Sequence, residues 1–462
     1  MTAPAPVIGI DLLRRYDRPG PRYTSYPTAV QFHDGFDEPS YRAHLAAASL
    51  SREPLSLYLH LPFCEQRCSF CGCMVIITRK REVAATYLRY LLREIAMLRE
   101  ALGSRRRVVQ YHWGGGTPTY LAPAQMATLH EAVIAAFDLD PDAEAGVEVD
   151  PRVTTAEQLD LLRGMGFNRL SLGVQDFAPD VQQAVNRVQS VASTRALFDH
   201  ARALGFQSIN IDLIYGLPRQ TPSSFAATVD TVVAMRPDRI ALYSYAHVPW
   251  IRGNQKAIPP ADLPSPELKL ELFVDAMHRF LDAGYVQIGM DHFALPTDTL
   301  AQAAATGLLH RNFMGYTTRP APDLIGAGVS AIGEVAGAFA QNVKKLSTYY
   351  AAIDAGRFPI ERGYVLDADD RLRRDVIAGL MCRFRVDRAD IERRHGIDFE
   401  TYFREEIAEL DGMPAADGLV TRDADGITVT PAGRLLVRNL AMIFDRHLRE
   451  RRQSDPVFSR TI

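Results

Sequence analysis

Residues 55–73 read LSLYLHLPFCEQRCSFCGC, a β-rich run that leads into four closely spaced cysteines. The run LSLYLH (55–60) predicts a strand, rich as it is in residues that suit a pleated surface. Cys64, Cys68 and Cys71 follow with C-x3-C-x2-C spacing in a loop at the strand's carboxyl edge, where α/β folds place their chemistry. Such a loop wraps one corner of a cubane, and soft sulfide-bridged iron favours soft thiolate donors. Three thiolates leave one iron of a [4Fe–4S] cluster open to a ligand. A structural zinc site usually draws on two ligand pairs set apart by a longer loop. No second C-x-x-C pair exists, since Cys382 stands alone in the apolar helical pattern GLMCRF. A catalytic thiol pair at Cys68 and Cys71 leaves Cys64 unexplained. Cys73 as a fourth ligand would close the cluster. Iron–sulfur is the favoured reading of the cysteines, with zinc as its rival.

Outward from this segment, strands and helices alternate. The β-rich runs are VVQYHW (108–113), AGVEVD (145–150), RLSLGV (169–174), SINIDLIYG (208–216) and RIALYSYA (239–246). Helical stretches lie between them, among them SVASTRALFDHARALG, in which Gly205 is the expected C-terminal stop. This rhythm calls for parallel strands with crossover helices, because parallel neighbours cannot be joined by a tight turn. Six such units fit a closed barrel, a partial barrel or an open doubly wound sheet.

After about residue 250 the alternation fades into a Pro-rich connection, and Pro266 opens a helix through ELKLELFVDAMHRFLDAG. From about 343 the pattern is charged and helical. DGLVTRDADGITVTPAGRLLVRNL (417–440) reads as two short strands and a helix, which suggests a winged-helix-like end domain. Residues 1–50, with PGPRYTSYPTAVQFHDG, read as an irregular but ordered arm. The expected divisions are an arm over 1–50, an α/β domain over 51–342 and a mainly helical domain over 343–462.

The bulk numbers narrow the function. The chain has 462 residues, 47% hydrophobic and 23% charged, with a net charge of -3. That balance points to no nucleic-acid partner, and the basic clusters at 105–107 and 449–452 are short enough to be solvated surface. No apolar run approaches the roughly 20 residues of a membrane span, and the first residues lack the pattern of a secretory signal. Four of the five cysteines fall within ten residues instead of being spread to staple distant segments, which points to a reducing, cytoplasmic setting.

A second element, Trp113–Gly114–Gly115–Gly116–Thr117–Pro118, follows the second strand. Alone, the glycine run is weak, and it lacks the spacing of a nucleotide P-loop. Paired in this order with the cysteine loop, it resembles the radical S-adenosylmethionine (SAM) family. PRYTSYPTA (21–29), EVDPR (148–152), FNRLSLGVQDF (167–177), NIDLIYGLPRQT (210–221), GMDHFA (289–294) and HRNFMGYTT (310–318) extend the likeness over nearly the whole chain. Together they are similar to the oxygen-independent coproporphyrinogen III oxidases, a branch related to radical-SAM-like heme chaperones.

The resemblance implies a partial (β/α)6 barrel and a cluster on Cys64, Cys68 and Cys71. It implies SAM cleavage to methionine and 5′-deoxyadenosine, and oxidative decarboxylation of two propionates of coproporphyrinogen III to vinyls, giving protoporphyrinogen IX. Two SAM molecules, a reduced flavodoxin- or ferredoxin-like donor and a monomer are expected. For SAM it implies backbone contacts at Gly115, Gly116 and Thr117, and side-chain contacts from Tyr58, Phe70, Glu148, Gln175, Arg187 and Asp212. Ala246, Phe313, Met314 and Ile332 map to a second SAM, although Met314 stands where some members carry Gln. Arg22, Tyr23 and Tyr26 are the arm residues expected to meet the substrate, with the arm as a lid. A heme carrier on the same fold and a zinc-stabilised structural protein are the competing readings.

Overall fold

Six of the β-rich runs become six neighbouring parallel strands: β1 (Leu55–Leu61), β2 (Arg107–Gly115), β3 (Asp138–Val149), β4 (Arg169–Gln175), β5 (Ser208–Tyr215) and β6 (Arg239–Ser244). They belong to a computed structural model that describes residues 10–450, 458, 460 and 461. The first nine residues of the arm, and Arg451 and Arg452 of the terminal basic cluster, lie outside the described residues.

Beyond β6 the sheet continues with antiparallel β7 (Val286–Gly289) and β8 (His292–Ala294), with β8 next to β6. On the other side of β1 lies β9 (Asp323–Ala327), parallel to it. Antiparallel β10 (Ile332–Val335), β11 (Ala338–Asn342) and β12 (Ile360–Val365) complete the twelve-stranded sheet. β7 and β12 are its two ends, so the sheet is a partial barrel and not a closed one.

Alternation along the strands assigns the two faces. Leu57, Leu59, Tyr111, Trp113, Val147, Leu172 and Ile211 are wholly buried in the main apolar core, packed with the crossover helices. The intervening residues Tyr58, His112, Glu148, Ser171 and Asp212 turn to the concave face. Those helices are α1 (Arg81–Leu102), α2 (Pro123–Ala136), α3 (Ala156–Gly164), α4 (Val191–Ala203) and α5 (Pro222–Met235), followed by α6 (Pro266–Asp282) after β6. Gly205, at φ +77°, follows the end of α4 as expected. Ser265 caps α6 by accepting from the Leu268 N–H, with Pro266 in its first turn.

The C-terminal part has its own core, and its strands Val420–Asp423 and Gly426–Val429 pair as read from the sequence. Arg385–Asp387 adds a third strand that is too short to carry a pattern. Because β12 belongs to the main sheet, we place the division between the two parts after residue 365 instead of at 343.

The arm packs into this second core through Leu13, Tyr16, Tyr23 and Tyr26. Tyr23 Oη donates to Asp445 (2.8 Å), and Arg438 donates to the carbonyls of Gly20 and Pro21 (2.7 and 3.1 Å). The described part of the arm is therefore fastened down, with Tyr23 and Tyr26 as anchors, but it is not irregular throughout: Ile10–Tyr16 and Glu38–Ser49 are helical, and Tyr41, Leu45 and Ala48 join the main core. Among the described residues no helix is long and apolar enough to cross a membrane.

Candidate active site

β1 delivers the cysteine loop and β2 brings the glycines against it. The N–H groups of Gly116 and Thr117 donate to Leu61 O (2.9 Å) and Phe63 O (2.8 Å). A Cβ on Gly116 would lie 2.7 Å from the carbonyl oxygen of Phe63, and one on Gly115 (φ +113°) would lie 2.5 Å from the His60 ring. Only glycine lets the two segments meet this closely. Thr117 Oγ1 sits 3.5 Å from Cys64 Sγ. From the far side, Asn254 Nδ2 donates to the carbonyls of Cys68, Ser69 and Cys71 (3.4, 3.0 and 3.0 Å), and Gln255 Nε2 to those of Phe70 and Ala246 (both 3.0 Å). Phe70 packs against a small apolar cluster that includes Ile214, Leu217 and Tyr245.

Cations surround Cys68. Arg187 Nη1 is 3.5 Å and Arg152 Nη2 is 3.7 Å from its sulfur, and both guanidiniums also bond Asp150. Burial pushes the Asp150 carboxyl up, but Arg187 and Arg152 outweigh it and hold it below its ordinary range. Arg187 Nη2 donates to Gly173 O, which leaves Nε buried and unpaired. Burial pushes the Cys64 thiol up to about 11, so a metal must displace its proton. A hydrogen bond with Cys73 draws Cys71 down.

This setting fits an iron–sulfur cluster: three thiols in one loop, two cations beside an anionic ligand set and carbonyls fixed from behind. Among the described residues no three His, Cys, Asp or Glu side chains are grouped to hold one metal ion.

Between the cysteine loop and the amino ends of the strands lies a polar cavity of about 340 Å3. Its lining includes Arg22, His112, Glu148, Asp212, Tyr243 and Met314. Glu148 Oε2 accepts from the Gly115 N–H (3.0 Å), and its Oε1 lies 3.7 Å from His112 Nε2. Burial would raise Glu148, but His112, the Gly115 N–H and His60 keep it below the usual carboxylate range. Asp212 accepts from Ser171 Oγ (3.1 Å) and Asn210 Nδ2 (2.8 Å), yet burial and the Glu148 charge push it up to about 7. Two carboxylates on one wall thus titrate in opposite directions. Tyr58 stacks on His112 at 6.1 Å and reaches His60 Nδ1 (3.0 Å).

The chain matches the radical SAM superfamily over residues 58–232 and the HemN C-terminal domain over 366–436. It is 49% identical over 451 residues to oxygen-independent coproporphyrinogen III oxidase of Escherichia coli, covering 98% of each chain. The Pseudomonas aeruginosa protein of the same name is 48% identical, with 95% of each covered. A solved structure described as coproporphyrinogen III oxidase from E. coli, a radical SAM enzyme, superimposes with a TM-score of 0.90 at 47% identity, covering 95% of this chain and 99% of that one. This chain belongs to the oxygen-independent coproporphyrinogen III oxidases.

That membership settles the choice between radical SAM enzyme and heme carrier in favour of the enzyme, and it implies a [4Fe–4S] cluster and SAM. For this oxidase, the residues read from the sequence fall into three places. The three cysteines, Gly115, Gly116, Thr117, Phe70, Ala246 and Arg187 gather around the loop. Arg22, Glu148, Asp212, Phe313 and Met314 line the cavity, with Tyr58 behind His112. Gln175 ends β4 at φ +69°, and Ile332 packs beside Phe313 without lining the cavity. Arg22 is ion-paired to Asp291 and lies 5.3 Å from the Tyr243 ring centroid.

Sequence reasoning missed Asn254, Gln255, Arg152 and Arg311. Arg152 and Arg311 lie inside the quoted motifs EVDPR and HRNFMGYTT, so an arginine beside chemistry-bearing residues was the available signal. Asn254 and Gln255 sit in a connection whose composition says only "loop".

Proposed function

We propose that this chain catalyses, in heme biosynthesis, the anaerobic oxidative decarboxylation of two propionates of coproporphyrinogen III to vinyls, giving protoporphyrinogen IX. The reading is carried by one combination: near-full-length likeness to the E. coli oxidase, and a three-thiol loop held against Gly115–Thr117, whose Gly115 N–H bonds the cavity-lining Glu148. Bound, the cluster and SAM would supply one electron and a hydrogen-abstracting adenosyl fragment, so that each propionate gives up one β-hydrogen atom to that fragment, CO2, and one electron to an external one-electron acceptor.

The chain's own residues bind and orient. Cys64, Cys68 and Cys71 hold the cluster, and Cys73, exposed at the loop's end, does not. Backbone at Gly115, Gly116 and Thr117 takes the methionine amino group, and Arg187, through its unpaired Nε, takes the carboxylate. Glu148 and Asp212 accept from SAM hydroxyls, with Tyr58, Phe70 and Gln175 completing that pocket. Ala246, Phe313, Met314 and Ile332 hold a second SAM, where the thioether of Met314 packs but cannot donate. Arg22 fixes a substrate carboxylate from the arm. The exposed cations Arg67, Arg79 and Lys80 beside the loop suit an acidic flavodoxin- or ferredoxin-like donor. The enzyme acts as a monomer in the cytoplasm, with neither nucleic acid nor membrane as partner.

The deciding test is strictly anaerobic incubation of reconstituted protein with coproporphyrinogen III, SAM and a strong reductant. Two CO2 per substrate supports the reading, and tight heme capture without turnover supports the carrier. Iron and sulfide should vanish in Cys64→Ser and persist in Cys73→Ser. Stoichiometric zinc without either would overturn the cluster.

A further inference from the structure

The cavity is lined by four arginines, and three of them have a carboxylate partner, although Arg169 Nε is itself buried and unpaired. Arg22 pairs with Asp291, Arg239 Nε lies 2.9 Å from Asp298, and Arg169 Nη2 lies 3.6 Å from Glu144. Arg311 is different. Its Nε and Nη1 are buried with no hydrogen-bond partner, and among the described residues it forms no ion pair.

The side chain is nonetheless well placed. It projects from the hairpin His310–Asn312 and Gly315–Thr317, with its guanidinium 4.5 Å over the Tyr316 ring. The hairpin is pinned to the amino-end half of the barrel: Thr317 and Thr318 donate to Glu144, and Asn312 Nδ2 donates to Gln110 (3.0 Å). Asn312 Oδ1 also accepts from the Met314 N–H (2.9 Å). Guanidinium nitrogens that are buried and unpaired, as Nε and Nη1 are here, carry a desolvation cost that a bound anion removes. Its planar fork matches a carboxylate bidentately.

We propose that Arg311 is a carboxylate-binding residue, holding one carboxylate of a ligand that lies in the cavity. The identity of that ligand rests on the function proposed above. Two candidate occupants carry the group: the tetrapyrrole through a propionate that is not reacting, and a second SAM through its methionine end. Neither source changes what Arg311 does.

The test uses anaerobically reconstituted holoenzyme and its Arg311→Gln variant with two probes. Coproporphyrin III, the oxidised tetracarboxylate that cannot react, is titrated by fluorescence, and bound SAM is counted by equilibrium dialysis. A loss of porphyrin affinity of about tenfold or more with an unchanged SAM count supports the propionate. Loss of one SAM per chain with unchanged porphyrin affinity supports the methionine carboxylate, and losing both supports shared use. Wild-type values for both probes overturn the proposal. Should Arg311→Gln fail to fold by circular dichroism, Arg311→Lys decides: charge without the fork must still weaken one probe about threefold, and unchanged binding overturns the idea. Turnover by the unmodified enzyme is measured alongside. Its failure would sink the functional reading, whereas the binding arms speak to Arg311 alone.

Discussion

Asn254 Nδ2 lies 3.0 Å from the carbonyl oxygen of Cys71, joining residues 183 positions apart. The same amide reaches Ser69 and Cys68, so one side chain sets the path of the backbone that carries two of the three thiols. Asn254→Ala should leave those carbonyls without their donor, at about 1–3 kcal/mol. The expected outcome is a cluster that bleaches several times faster in air at unchanged initial iron content. Bleaching at the wild-type rate, followed by absorbance, would show that the loop holds itself.

Gly116→Ala places a methyl group 2.7 Å from backbone atoms that cannot swing away. The β2 end must then part from the loop, at a cost of about 1–3 kcal/mol. Reconstituted protein should contain clearly less iron and sulfide per chain, with a lower Tm even before reconstitution.

Asp212 makes a pH prediction. Its carboxyl is pushed up to about 7, so between about pH 4 and 7 the folded chain binds a proton that the unfolded chain has released. Stability therefore falls as pH rises through that window, by at most about 4 kcal/mol from this group. Asp212→Asn should flatten the decline in apoprotein Tm and melt higher than wild type at about pH 8, with little difference near pH 4. Glu148→Gln, by removing a charge that helps raise Asp212, should move the midpoint of that decline downward.

Arg22→Ala tests the arm. It leaves Asp291 buried beside His292 without its guanidinium partner, so the change should cost stability, on the order of 3–5 kcal/mol for a broken buried pair. Asp291→Asn in the same background should recover part of the loss. SAM binding should be retained in the double variant while turnover falls. Retained turnover would leave Arg22 a purely structural residue.

Strand periodicity and the cysteine spacing made the parallel half of the sheet legible, because each strand there is long enough to show a pattern. β7 to β12 were hidden for the opposite reason. They are three to six residues long, and all but β9 pair solely antiparallel, so no sustained period marks them. At the site, thiols and glycines announce themselves by spacing, since their chemistry is local. Asn254 acts on carbonyls far away in sequence, and nothing in its neighbours marks that reach. Tyr23 and Tyr26 misled because an aromatic arm suits a ligand wall as well as a packing anchor. The structure chose the anchor by supplying Asp445 and the second core.

The bonds from Arg438 to Gly20 and Pro21, and from Tyr23 to Asp445, span 417 to 422 positions. During synthesis, therefore, a nascent chain has emitted every parallel strand long before the partners that seat Arg22 leave the ribosome. The side of the vessel that the arm will occupy stays open in the meantime. Seating of the arm therefore waits on residues made near the end of translation.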